Sequence, residues 1–221
     1  ALVRRIKPDG TIISPIDFIP VYEKSGLISR LDRYIWEQAA AKLGEWKKAG
    51  INMSISVNIS PKDFYYIDIF NTFAGLIKKY DIEPSNLKIE ITETTIMSDV
   101  PNLMGELEEL RKAGFTLEMD DFGSGYSSLN TLKDINVDVL KVDMGFIKET
   151  KNVKKSRIIL ASVIKMAKEL NLLIITEGVE TEEQVDNLTK LGCDVFQGYY
   201  FSKAIDVNEF EKRYLYRKKA G

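Results

Sequence analysis

The sequence predicts an α/β fold, a TIM-like (β/α)8 barrel lacking its first strand and helix. Three observations carry the prediction. Short β-branched runs alternate with longer segments of helical period along the 221 residues, the mark of a parallel sheet with helical crossovers. Residues 172–176 are almost pure Leu and Ile, as a strand buried on both faces requires. Polar residues end the strands: Asn58, Glu90, Asp120, Lys141, Glu177 and Gln197 each fall at or just past the C-terminal end of a different one. An open sheet gathers its ligand at one switch point and would scatter several of these. A closed barrel brings every strand end to one mouth. A barrel typically has about 250 residues, so the chain is about thirty short, and the shortage lies at its start.

The elements follow in order as a single domain over residues 1–221. Residues 1–6 read as the tail of a strand, ended by the turn Pro8-Asp9-Gly10. Residues 27–48 place Leu31, Ile35, Trp36, Ala39 and Leu43 on one helical face, and Gly50 stops the helix. Residues 52–58 alternate as a strand. Pro61 opens a helix with Phe70, Phe73, Ile77 and Tyr80 at helical spacing. Residues 87–92 form a strand, and a helix around Leu103, Leu107 and Leu110 stops at Gly114. Residues 115–120 form the next strand and run into a Gly/Ser loop. A strand at 137–143 and a helix at 158–170 follow, the helix turning Leu160, Val163, Ile164 and Ala167 inward. The strand at 172–176, a helix at 182–191 ended by Gly192, a short strand at 195–198 and a helix from 207 to about 216 complete the chain. That makes seven strands.

Composition removes several chemistries. Lys and Arg number 31 against 33 Asp and Glu, a net charge of −2, and histidine is absent. No Ser-His-Asp triad and no His-ligated zinc or haem can form. The single cysteine, Cys193, cannot close an internal disulfide, so an oxidising compartment gains no support. A near-neutral balance argues against DNA as a partner. No apolar run reaches the ~20 residues that span a bilayer, and ALVRRIKPDG has no apolar stretch after its basic pair. The expected location is cytoplasmic, with any membrane anchor supplied by other domains.

If the chain is an enzyme, its chemistry must come from carboxylates, lysines and amides, with room for a metal that prefers oxygen. The strand-end set comprises Asn58, Glu90, Asp120, Asp121, Glu177 and Glu180, with Lys141, Asp143 and Gln197 beside them. So many like charges at one mouth repel one another unless a cation joins them. Oxygen-only ligands suit Mg²⁺ or Mn²⁺ rather than zinc. The adjacent Asp120 and Asp121 can bridge two such ions, the usual arrangement for in-line phosphodiester cleavage. Lys141 can hold the nucleophilic water and offset negative charge. Glu106, Glu108, Glu109, Glu182 and Glu183, at helical positions, read as a solvated surface. The Ser-rich GSG lacks the GK[ST] of a phosphate loop.

These residues carry a specific resemblance. ALVR, PIDFIP, SVNIS, IEITET, DDFGSGYSSL, LKVD, TEGVET and QGYYFSK stand in this order along nearly the whole chain. The chain resembles the EAL domain family of cyclic di-GMP phosphodiesterases, whose fold is a TIM-like barrel. The resemblance implies hydrolysis of cyclic di-GMP to linear pGpG with two Mg²⁺ or Mn²⁺ ions. It implies that Asn58, Glu90, Asp120, Asp121 and Glu177 are metal ligands. Lys141, Glu177 and Glu180 would act on the metal-and-water network. Leu2, Arg4, Asp143 and Gln197 would contact substrate, although Asp143 also reads as a cap for the next segment. Glu93 would anchor the regulatory loop at Phe122, Gly123, Ser124 and Gly125. The family also implies a homodimer and an attached or interacting sensory or GGDEF-type domain. The glutamate of the name motif would precede Ala1. Smaller departures are Thr176 for alanine, Glu118 for a small or apolar residue, and Ala204 for proline. A non-catalytic cyclic di-GMP receptor or a protein-interaction module is the alternative expectation.

Overall fold

A computed structural model describes residues 1–98, 100, 102–123, 132–143, 145 and 153–216. Six strands form one parallel sheet in chain order: β3 (Ile55–Asn58), β4 (Leu87–Thr92), β5 (Leu117–Phe122), β6 (Val139–Asp143), β7 (Leu173–Glu177) and β8 (Val195–Phe196). The sheet curls into a half-barrel, and among the described residues β3 and β8 pair on one side only. The expected partial TIM-like barrel is therefore the fold.

The start of the chain departs from expectation. Only Arg5–Ile6 (β1) of residues 1–6 is strand, and it pairs antiparallel with Ile12–Ile13 (β2). The turn signal Pro8-Asp9-Gly10 is responsible. Thr11 N–H donates to Asp9 Oδ1 at 2.9 Å and Gly10 takes φ 85°, so the chain reverses onto itself. Seven expected strands thus become six in the parallel sheet plus a hairpin. Ala1 nevertheless lies against β3, its nitrogen donating to the Ser56 carbonyl.

A helix absent from the expectation follows, α1 (Pro15–Ser25), with proline in its first turn and Gly26 ending it at φ 75°. Proline is suited to the first turn because its missing N–H has no helical partner there. Next comes α2 (Ile28–Lys48), which buries Trp36, Ala39, Ala40, Leu43 and Trp46. The helix expected from Pro61 is two, α3 (Asp63–Tyr66) and α4 (Ile69–Tyr80). Ile67 is extended between them, and Asp68 caps α4 by accepting from Asn71 N–H at 3.0 Å. A short α5 (Glu93–Ile96) leaves β4, and α6 (Leu103–Lys112) precedes β5. Further helices are α7 (Val153–Glu169), α8 (Glu182–Leu191) and α9 (Val207–Phe210), which runs on into a π-helical turn at Glu211–Leu215. No helix among the described residues is long and apolar enough to cross a membrane.

Strand alternation sorts the two faces of the sheet. Val57, Ile89, Ile91, Leu117, Met119, Leu140, Val142 and Ile174 are buried against a helical layer that includes Trp36, Phe73, Leu107, Leu110, Leu160 and Ile164. The alternate positions, among them Asn58, Lys88, Glu90, Glu118, Asp120 and Lys141, share the concave face. That face is polar, so β7 is not the fully buried strand its composition suggests: Leu173 is 43% exposed, whereas Ile174 and Thr176 are buried.

Candidate active site

The strand ends converge on one lysine. Lys141, in β6, is 4% exposed. Its Nζ lies 2.7 Å from Glu90 Oε1, 2.8 Å from Glu177 Oε1 and 3.3 Å from Asp120 Oδ1. Asn58 joins from β3, its Nδ2 donating to Glu90 Oε2 at 3.0 Å. The pairing of Asn58 with Glu90 in the β3–β4 register makes that contact local to the ladder. Trp36 Nε1 donates to the Asn58 carbonyl at 2.9 Å, so the helical layer holds the end of β3 in place.

The two aspartates share the mouth because the strand is irregular. The β5–β6 register shifts between Met119 and Phe122, and Asp121 takes φ 56°. A bulge breaks the strict alternation that would send neighbours to opposite faces. Asp121 N–H donates to Asp120 Oδ1 at 2.9 Å. Partial burial pushes the Asp121 carboxyl upward, and Asp120 and Asp143 nearby add to it.

Electrostatics at the centre follow from burial and pairing. Burial opposes the charge on Lys141, but Glu90, Asp120 and Glu177 outweigh it and hold the ammonium well above the ordinary lysine value. Glu177 is pushed up to about 7. Burial dominates there; Lys141 pulls downward and Asp120 pushes upward. The site thus holds a fixed cation and a carboxyl poised near neutrality.

The remaining expected residues spread around this centre. Leu2 and Arg4 line a cavity of about 350 Å³ that also includes Asn58, Ser60 and Thr92, although Leu2 itself is 63% exposed. Asp143 Oδ1 accepts from Gly145 N–H at 2.6 Å, which is the capping geometry. Glu180 is exposed ahead of α8, and its N–H donates to Gln184 Oε1 at 2.7 Å. Gln197 is exposed just past β8 and tied through its backbone to Thr176 and Val179. Gly198 beside it permits a close approach: a Cβ there would fall 2.1 Å from the Val179 carbonyl oxygen. Glu93 is buried at the start of α5, which packs against β5. Phe122 is buried and Gly123 takes φ 97°; Ser124 and Gly125 lie outside the described residues.

Sequence reasoning missed Asp32. It lines the same cavity as Leu2 and Arg4. Burial, reinforced by Asp63, pushes its carboxyl up to about 8. Asp63 is likewise raised, chiefly by burial, and its Oδ2 accepts from Ser60 N–H at 2.8 Å. A signal existed: Asp32 stands four residues from both Ile28 and Trp36, on the buried stripe of α2.

Among the described residues no three acidic, His or Cys side chains are gathered to hold a metal ion. The Lys141 ammonium takes the point on which three carboxylates converge. The donor set around it, one amide and the carboxylates of Glu90, Asp120, Asp121 and Glu177, is nonetheless all oxygen and fits a hard divalent cation.

Known proteins are similar to this chain. The EAL domain family profile matches residues 1–204. The chain is 35% identical over 212 residues to the signaling protein YkoW of Bacillus subtilis, covering 96% of this chain and 26% of that protein. It is 34% identical over 210 residues to the bifunctional diguanylate cyclase/cyclic di-GMP phosphodiesterase MucR of Pseudomonas aeruginosa, covering 95% and 31%. The chain therefore spans between 26% and 31% of the length of these curated relatives. Among solved structures, it is similar to the "PaMucR Phosphodiesterase, c-di-GMP complex", with a TM-score of 0.86 and 34% identity, covering 94% of this chain and 84% of that one. With the half-barrel, the strand-end carboxylates and a profile match along nearly its whole length, the chain belongs to the EAL domain family.

Proposed function

We propose that this chain is the hydrolytic unit of a cyclic di-GMP phosphodiesterase, opening one phosphodiester of the ring to give linear pGpG. The observation that carries the reading is the buried Lys141 bound by Glu90, Asp120 and Glu177 beside the cavity lined by Leu2 and Arg4. Asn58, Glu90, Asp120, Asp121 and Glu177 would hold two Mg²⁺ or Mn²⁺ ions. When bound, such ions supply charge stabilisation and a water of lowered pKa. The water oxygen would bond to phosphorus and give up a proton, the ribose P–O bond would break, and the departing ribose oxygen would take up a proton.

The chain's own groups have separate parts. Lys141 orients the water and offsets charge that builds on the phosphate oxygens. Glu180 completes the water network. Arg4 engages a phosphate and Leu2 a guanine face, while Asp143 and Gln197 border the substrate. Glu93 with Phe122, Gly123, Ser124 and Gly125 couples the site to a homodimer and to a sensory or GGDEF-type domain. The test is hydrolysis of cyclic di-GMP in Mg²⁺ by the protein that carries this chain, beside its Lys141→Ala and Asp120→Ala variants. Turnover by the unsubstituted protein and loss in both variants supports the reading; a folded protein without turnover refutes it.

A second reading is a receptor that binds cyclic di-GMP without cutting it. The favouring observation is that the Lys141 ammonium takes the point on which Glu90, Asp120 and Glu177 converge and offsets part of their charge. Calorimetry separates the two, since binding of equal strength with and without divalent metal, and no pGpG, identifies the receptor.

A further inference from the structure

Nothing in the proposed reaction uses Glu118. It is 1% exposed on the concave face, two residues before Asp120 in β5. It is also the register partner of Glu90 on the neighbouring strand. Its Oε1 lies 3.1 Å from Lys88 Nζ, and its Oε2 is buried without a hydrogen-bond partner. Burying a carboxylate beside another one is costly, and an apolar side chain would pack at this position without that cost.

Lys88 supplies the reason. It stands two residues before Glu90 on the same face of β4, about 6.6 Å away along the strand. A lysine side chain spans that distance. Glu90 is the next carboxylate along that face, and it already accepts from Lys141 and Asn58. A second ammonium on Glu90 would occupy the lone pairs left for a cation. Glu118, level with Glu90 on the neighbouring strand, draws Lys88 sideways toward β5.

We propose that Glu118 is a positioning residue that holds Lys88 off Glu90 and so keeps the Glu90 carboxylate open to a divalent cation. The proposal rests on the reading of Glu90 as a metal-holding carboxylate. The Lys-x-Glu of β4 and the Glu-x-Asp of β5 then form one matched device across two strands.

The experiment is Mn²⁺ binding by isothermal titration calorimetry to the intact protein and to Glu118→Ala, Lys88→Met and the double variant. The expected loss in Glu118→Ala is about tenfold in Kd, the effect of about 1.4 kcal/mol of competition at one ligand. Lys88→Met is expected to bind within about threefold of the unsubstituted protein, and the double variant likewise, because no competing ammonium remains. Glu118→Gln keeps the shape, cannot hold the ammonium by charge, and is expected to lose affinity in the same direction; it serves if the alanine variant does not fold. Unchanged binding in both Glu118 variants overturns the proposal. So does a double variant as weak as Glu118→Ala, or a Lys88→Met as weak, since each marks a merely structural pair. Failure of the unsubstituted protein to bind Mn²⁺ overturns instead the metal reading of Glu90, and this proposal with it.

Discussion

Replacing Lys141 by methionine removes the only ammonium that Glu90, Asp120 and Glu177 share among the described contacts, at 2.7, 3.3 and 2.8 Å. The lysine side chain is 5% exposed, so water screens little of the interaction. Removing one partner of a buried ion pair typically costs about 3–5 kcal/mol, because the charge left behind stays buried. Against a domain stability of about 5–15 kcal/mol, that is a large share. We expect Lys141→Met, in chelator, to lose stability of this order in urea unfolding at pH 8. The deficit should shrink as pH falls toward about 7, because burial raises the Glu177 carboxyl to about 7 even with Lys141 pulling it down, and without that lysine it takes up its proton at higher pH. Saturating Mg²⁺ or Mn²⁺ should stabilise the variant more than the parent, since a cation there replaces missing charge; a ligand at 100 times its Kd adds about 2.7 kcal/mol. A variant as stable as the parent in chelator, at every pH, would refute the claim that Lys141 is the counterion of this site.

Two further outcomes follow from the same structure. Burial and Asp63 raise the Asp32 carboxyl from 3.8 to about 8, so its protonated form stabilises the fold fully below 3.8 and that contribution is lost as pH rises through about 8; Asp32→Asn, always neutral, should flatten unfolding midpoints measured across this range, and an unchanged slope would count against the assignment. Thr181 caps α8 in a capping box with Gln184, so Thr181→Ala should lower unfolding stability by about 1 kcal/mol, read from urea midpoints with unchanged slope.

Much of the architecture was legible in the chain because strand and helix periods are local. The positions of β3 to β8 followed from β-branched runs, and the helix stops at Gly50, Gly114 and Gly192 held. Asn58, Glu90, Asp120 and Lys141 were visible as polar residues ending apolar runs. Misreadings arose where a non-local or capping contact overrode the pattern. The Asp9 turn folded β1 back into a hairpin, and Asp68 split one expected helix into two. Asp32 was hidden because a carboxylate on an apolar stripe is read as a fault in the stripe, while its meaning lies in Asp63, Leu2 and Arg4, all remote along the chain.

The sequence by itself determined the α/β class, the order of the sheet's strands, the absence of histidine and the polar residues that end the strands. Histidine is absent from the composition, and the motif strings are contiguous in the chain, so no folding was needed to read them. Only the tertiary structure decided who touches whom. Lys141 and Glu90 are 51 residues apart and meet because β5 separates their strands in a curled sheet. Glu118 and Lys88, 30 residues apart, meet because β4 and β5 are neighbours in that sheet. Residue period sets which face a side chain takes, but lateral neighbours depend on strand order, register and the bulge at Asp121, and these exist only once the sheet has formed and curled.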